Sequence, residues 1–386
     1  VRIGLLVDKT GALAAYGYAH EKVANAVVKK INAEGGISGR PVELFSEDTE
    51  SDASKATVKA RKLIEQNRVD FLVGSNTSAV VLAVAPVAKE LKTVYFPTAG
   101  GALLTEPGKG NRYIFELNTD VRQETLGVAK FATKDLGKKK WVTFVVDYAW
   151  GWDQEARFRE ALESLGGQVL GSTRVPLGTA DWLRYIQGKV PADVEGVYFA
   201  NFGTDFLSFI RDLYAVRQDL VKFGGNYVLS GQDIEKLGAP AEGMYVITGY
   251  PQYAEAMNSP YDREYRAAIG MDDFGREAGT GKHLVPSYQW STWEAFYTIK
   301  EVVEKSGWKG KNDTPKFITT LEGMCFKQST AHPEGDKCIR AEDHLSLKGA
   351  YIEQVKGGKL VVVKRIPPED MTYPPKVNYP KDEPLQ

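Results

Sequence analysis

The sequence predicts an α/β fold built from two doubly wound layers. Three observations carry this. Short, near-continuous apolar runs of strand length recur along the chain. Between them lie stretches with apolar residues at helical spacing. The alternation then restarts near residue 141. At 386 residues the chain is long enough for two to three domains at about 150 residues each.

Residues 1–7 are almost wholly apolar, as in a parallel strand covered on both faces. A loop with Gly11 and Gly17 leads to a helix ending near Ala33, whose core face is Val23, Ala24, Val27, Val28 and Ile31, before Gly35-Gly36. Residues 42–45 form a second strand. Asp52 suits the cap of a helix that buries Ala56, Ala60, Leu63 and Ile64. Residues 71–73 are a third strand, 78–91 an apolar helix and 94–96 a fourth strand. The second unit opens with a strand at 141–146. A helix follows with Phe158, Ala161, Leu162 and Leu165 on its core face, ended by Gly166-Gly167. Both units read strand, aspartate (Asp8, Asp147), loop, aromatic-glycine (Tyr16-Gly17, Trp150-Gly151), helix, Gly-Gly. Residues 196–199 are a strand and 203–214 a helix. Helices follow at 261–269, 287–305 and from 315, then a hairpin turns at Gly357-Gly358. Six of the 18 prolines fall in the last 20 residues and make the tail extended.

Composition removes several classes of function. Hydrophobic residues are 43% and charged residues 26%, which argues against disorder. With 49 basic and 50 acidic residues the net charge is −1, against the basic excess of a nucleic-acid binder. The longest apolar stretch, 79–88, falls short of the ~18–20 residues of a membrane span. The chain begins at Val1, so a leader removed by processing or cloning is expected. Cys325 and Cys338 lie thirteen apart and fit no zinc pattern. They suit a disulfide in an oxidising compartment, with two free thiols as the alternative.

Catalytic signatures are scarce. There is no G-x-S-x-G, H-E-x-x-H or phosphate-binding Gly-Lys-Ser/Thr loop. The four histidines have no metal-ligand spacing, and no G-x-G-x-x-G follows the first strand, so neither metal nor cofactor is expected. Binding chemistry gathers instead at strand ends, where open α/β sheets hold ligands. Ser75-Asn76-Thr77-Ser78 precedes a helix and suits an anion, or is a plain cap. Thr98-Ala99-Gly100-Gly101 ends a strand with small residues that admit a ligand, or is an ordinary turn. Tyr16, Trp150, Phe202, Tyr250 and Tyr253 follow strand ends and offer aromatic walls, though each alone is as easily core.

The opening with Tyr16-Gly17, the run Ile31-Asn32-Ala33-Glu34-Gly35-Gly36-Ile37-Ser38-Gly39-Arg40-Pro41, and the loops 74–78, 96–101, 147–151 and 340–344 resemble one family. The chain is similar over nearly its whole length to the type I periplasmic solute-binding proteins of the leucine/isoleucine/valine kind, which serve ABC transporters. The resemblance implies two lobes joined by a three-crossover hinge near 119, 249 and 325. The N-lobe is then 1–118 plus 249–324, and the C-lobe 119–248 plus 325–386. It implies ligand carboxylate contacts at Thr77, Ser78, Thr98, Ala99 and Gly100, and Asn76 is a further ligand-binding candidate in the same loop. Aromatic contacts fall at Tyr16, Trp150 and Phe202, with Asn201 and Tyr250 beside them. Gln232, with Asp233 next to it, stands where amino-acid binders carry an acid for the ligand ammonium. If Gln232 is the contact, the solute lacks a positive charge, because a buried ammonium needs a counter-charge. An aromatic acid then fits, with a branched-chain amino acid as the competing ligand. The implied protein is a periplasmic, monomeric receptor for a small solute that docks on a membrane permease. The alternatives are the ligand domain of a sensor and an amide- or urea-type binder.

Overall fold

The computed structural model describes every residue but 12, 100, 101, 226–229, 285 and 386, and all other side chains except 102, 103 and 286–288. The first sheet holds four parallel strands: β1 (Arg2–Val7), β2 (Glu43–Asp48), β3 (Phe71–Gly74) and β4 (Val94–Phe96). Their order is β2-β1-β3-β4. Alternate residues of β1 serve opposite faces, as strand pleating requires. Ile3, Leu5 and Val7 pack with Val23, Val27 and Ile31 of the helix Ala14–Ala33, whereas Leu6 packs with Val80 and Val84 of the helix Ser78–Glu90. This two-sided burial explains why β1 is continuously apolar. Asp52 caps its helix as expected, accepting from the Lys55 N–H at 2.8 Å.

The second unit supplies β5 (Lys140–Val146), β6 (Gln168–Val175), β7 (Gly196–Ala200), β8 (Val221–Gly224) and β9 (Tyr245–Thr248). A small sheet of β10 (Cys325–Phe326), β11 (Lys337–Ile339) and β12 (Ser346–Leu347) comes next, then the hairpin β13 (Ala350–Lys356) and β14 (Lys359–Ile366). The second sheet runs β14-β13-β9-β8-β7-β5-β6, parallel from β9 to β6 and antiparallel at the hairpin. β6 and β8 are absent from the sequence reading. β6 is an edge strand with only Val169 and Val175 buried, and β8 has four residues, so neither shows a long apolar run.

Residues 325–347, assigned by sequence to the C-lobe, pack elsewhere. Phe326 and Ile339 share the core of Phe71, Phe96 and Phe317 below the first sheet. Cys325 and Cys338 face each other across β10 and β11 and are disulfide-bonded. The chain joins the second sheet only at Ala350. Lys348, fully buried, marks this passage; it pairs with Glu334 at 3.0 Å and lies 4.0 Å over the Trp290 ring. Apolar residues in a segment say that it is buried, not which of two cores receives it. The tail then returns to the first sheet, where the Tyr379 hydroxyl donates to the Leu104 carbonyl at 2.7 Å.

Glu353 of β13 is buried in the second sheet and accepts one hydrogen bond among the described residues, from the Gln252 N–H at 3.2 Å. Burial pushes its carboxyl from 4.5 up to about 8, partly offset by that bond and by Arg266. Between these values the folded protein holds a proton that the unfolded chain has lost. Stability should therefore fall as pH rises from ~5 to ~8, at up to ~1.4 kcal/mol per unit, and flatten above. Glu353→Gln should make that slope shallower, most of all between pH ~6 and ~8, above the Asp153 titration, in urea titrations run across pH; an unchanged slope contradicts the assignment.

Candidate functional site

The site begins with two glycines. A Cβ on Gly17 would lie 2.1 Å from the Asp8 carbonyl oxygen, so glycine lets the first helix start against the end of β1. Gly74 has φ +99°, and a Cβ there would lie 1.9 Å from the Leu6 oxygen. The chain thus leaves β3 pressed against β1 and wraps residues 75–77 round the fully buried Asp8. Asp8 accepts from Thr49 Oγ1 at 2.5 Å, Ser75 Oγ at 2.8 Å, the Asn76 N–H at 3.1 Å and Thr77 Oγ1 at 3.1 Å. The Thr98 hydroxyl donates to Asn76 Oδ1 at 3.1 Å, and Asn118 Nδ2 holds the Thr98 carbonyl at 2.8 Å.

This network revises the expected roles of Thr77 and Thr98. Both hydroxyl protons point inward, to Asp8 and Asn76, and hold the loop in shape. What faces outward is the start of the helix Ser78–Glu90, where Thr77 provides no side-chain cap. A helix start carries unpaired N–H groups and favours negative charge. The Tyr148 hydroxyl, on the loop after β5, is buried against Ser78 and the Ala79 backbone without closing a hydrogen bond of ordinary geometry. Burial raises its pKa above the usual phenol value.

The two sheets meet here. Trp150 lines a narrow cavity with Ser78, Val81, Leu82, Ala99, Leu104 and Asp153. Its ring meets Phe202 edge-on, with centroids 6.0 Å apart. Trp150 and Asp153 lie three apart on the helix Ala149–Ser164 and so share a face. Arg157 Nε donates to Asp153 Oδ1 at 3.1 Å, while Oδ2 is buried without a partner. Burial pushes the Asp153 carboxyl up to about 6 against the pull of Arg157. Arg157 also reaches Glu106, beyond the first sheet, at 2.8 Å, and Glu106 is shared with Arg122 at 2.7 Å and Lys376 at 3.2 Å.

Asp233, not Gln232, is turned inward. Ser230 and Asp233 form a capping box, with Asp233 Oδ2 accepting from the Ser230 N–H at 2.9 Å and its hydroxyl at 2.6 Å. This turns Asp233 inward at the helix start, while Gln232, one residue earlier, is exposed. Burial raises the Asp233 carboxyl, with the Ser230 bonds opposing. Burial raises the Tyr16 phenol, and the charge of Asp233 adds to the effect. An acid, rather than the Gln232 amide, is therefore the inward-turned group at this helix start.

Tyr250 leaves the site altogether. It is fully buried in the first core, edge-on to Tyr265, and donates to Asp262 Oδ1 at 2.5 Å. Asp262 is held by Arg266 Nε at 2.8 Å. A buried ion pair needs further donors, and the phenol supplies one. Asn201 is fully buried at the end of β7, beside Phe202. Gly100 lies outside the described residues. The structure thus brings together Ser78, Ala99, Trp150 and Phe202, and separately Tyr16 and Asp233. Sequence reasoning missed Asp8, Tyr148 and Asp153. The matching aspartates Asp8 and Asp147 and the i, i+3 pair Trp150 and Asp153 were the available signals. Among the described residues, no cluster of histidine, cysteine and acid suits a metal, and no helix is long and apolar enough to cross a membrane.

A family model described as periplasmic binding protein matches residues 1–359. A Leu/Ile/Val-binding protein homologue of Brucella melitensis is 25% identical over 365 residues, 92% of this chain and 87% of its own length. The crystal structure of a leucine-binding protein from Thermotoga maritima superposes with a TM-score of 0.81 at 20% identity, covering 96% of this chain and 99% of that one. A solute-binding protein of an ABC transporter from Rhodopseudomonas palustris, in complex with 3,4-dihydroxybenzoic acid, gives 0.80 at 22% identity, over 95% and 97%. With a match that spans the first sheet and the second as far as the hairpin turn, the chain belongs to the periplasmic binding protein family.

Proposed function

We propose that this protein is an extracytoplasmic receptor of an ABC importer, which encloses a small carboxylate-bearing solute between two lobes and delivers it to a membrane permease without turnover. The observation that carries this reading is the apposition of Ser78 and Ala99, at the ends of the first sheet, to Trp150 at the end of the second. The lobes meet at passages near 118–120, 248–249 and 347–350, and they close about these. The start of the helix Ser78–Glu90 receives the carboxylate. Trp150 and Phe202 then cover the solute from the other lobe. Closure on a solute requires contacts that the open form lacks, and these aromatics supply them.

Two solute types have support. The Trp150–Phe202 wall favours an aromatic acid, the kind bound by the Rhodopseudomonas palustris protein. Asp233, whose charge acts on Tyr16, favours an ammonium group, as in the leucine that names the Thermotoga maritima protein. A thermal-shift screen of refolded, ligand-stripped protein against aliphatic amino acids, aromatic acids, short amides and urea tests the reading. A solute at a hundred times its Kd adds about 2.7 kcal/mol. A shift with a carboxylate supports the proposal. Its absence across the panel removes the solute class, and a shift with amides or urea alone removes the carboxylate site.

A further inference from the structure

Asn201 follows β7, the middle strand of the five parallel ones in the second sheet, and Ala200 before it pairs with Val145 of β5. It is 0% exposed, and neither Oδ1 nor Nδ2 has a hydrogen-bond partner among the described residues. Other buried amides keep a hydrogen bond at one end at least, although Asn118 Oδ1 and Gln289 Oε1 are open at the other. Asn118 Nδ2 donates to the Thr98 carbonyl at 2.8 Å. Gln123 Nε2 donates to the Ser346 carbonyl at 3.1 Å. Gln154 accepts from the Tyr198 hydroxyl and donates to Glu124 at 3.4 Å. Native proteins pair nearly all such groups, so one open at both ends calls for an explanation. Its position supplies one. Ligands of parallel sheets bind beyond the carboxyl ends of the strands. The next residue, Phe202, meets Trp150 of the interlobe cavity.

We infer that Asn201 selects the solute: it accepts molecules that bring a group able to donate or accept a hydrogen bond, such as a hydroxyl or carboxamide, to the end of β7, and rejects those with hydrocarbon there. The inference rests on the cleft being the solute site. A hydrocarbon end leaves both amide atoms desolvated and unpaired, which is the arrangement that discriminates most strongly between close analogues. Ionisation plays no part, because an amide does not titrate.

The test uses matched ligands in calorimetric titrations of the stripped protein: 4-hydroxybenzoate against 4-methylbenzoate, and asparagine against leucine. Within whichever pair binds, the wild type should prefer the polar member by about tenfold or more. Asn201→Leu, of similar volume, should abolish or reverse that preference. Equal affinities in the wild type, or preference for the methyl compound or leucine, overturn the inference without needing any variant. So does an Asn201→Leu protein that keeps the polar preference. Both results leave the solute-binding reading intact. Binding of neither pair removes this inference together with the proposed solute class.

Discussion

Asp8→Ala should lower the unfolding free energy by ~3–5 kcal/mol in urea titrations and abolish solute binding by the folded fraction. The carboxylate is fully buried and collects four donors from two segments: Thr49 after β2, and Ser75, Asn76 and Thr77 after β3. Charge-assisted hydrogen bonds each contribute about 1.5–3 kcal/mol, and their loss leaves three hydroxyls and an amide N–H without an acceptor. Asp8→Asn keeps the shape but sets an NH2 group against donors, so it should lose somewhat less, ~2–3 kcal/mol. The loop 75–77 keeps only the Thr98 hydroxyl on Asn76 Oδ1 and the Ser75 N–H on the Tyr95 hydroxyl as side-chain anchors to other segments among the described residues, and neither replaces Asp8, so binding should fall in both variants. A loss below ~1 kcal/mol for the alanine variant would show that the donors find substitutes and that Asp8 does not organise the site.

Trp150→Ala should weaken solute binding by about 100-fold, near 2.7 kcal/mol, measured by calorimetry with the strongest ligand of the screen. Trp150 is half-buried, stands edge-on to Phe202 and forms the second-sheet wall of the cavity. Truncation removes that wall and frees Phe202. Because the ring packs only in part against its own lobe, the ligand-free protein should be destabilised less than the complex. Trp150→Phe should recover most of the affinity, since an aromatic face remains. An affinity within twofold of wild type in the alanine variant would place the solute away from this wall.

The alternation of strands and helices was legible from residue order, because strand and helix periodicities are local and a two-sided parallel sheet demands apolar runs. So were the repeated unit, the Asp52 cap and the hairpin at Gly357-Gly358. Trp150 and Phe202 were legible only as aromatics beyond strand ends; that they touch was decided by β5 and β7 lying side by side in the sheet. Hydrogen-bond direction did not follow. Thr77 and Thr98 were equally suited to hold a ligand or a neighbour, and only the approach of β1 to β3 set Asp8 beneath them. Gln232 and Asp233 differ by one residue, and the capping box decided which turned inward. Tyr250 was drawn from the cleft by Asp262 and Arg266, twelve and sixteen residues on. Residues 325–347 joined the first core because Phe326 and Ile339 found Phe71 and Phe317 there. Periodicity and composition determined which residues are buried and in what elements. Which partner each buried group meets was decided by tertiary apposition, because pairing depends on distant segments brought together and not on the spacing of residues along the chain.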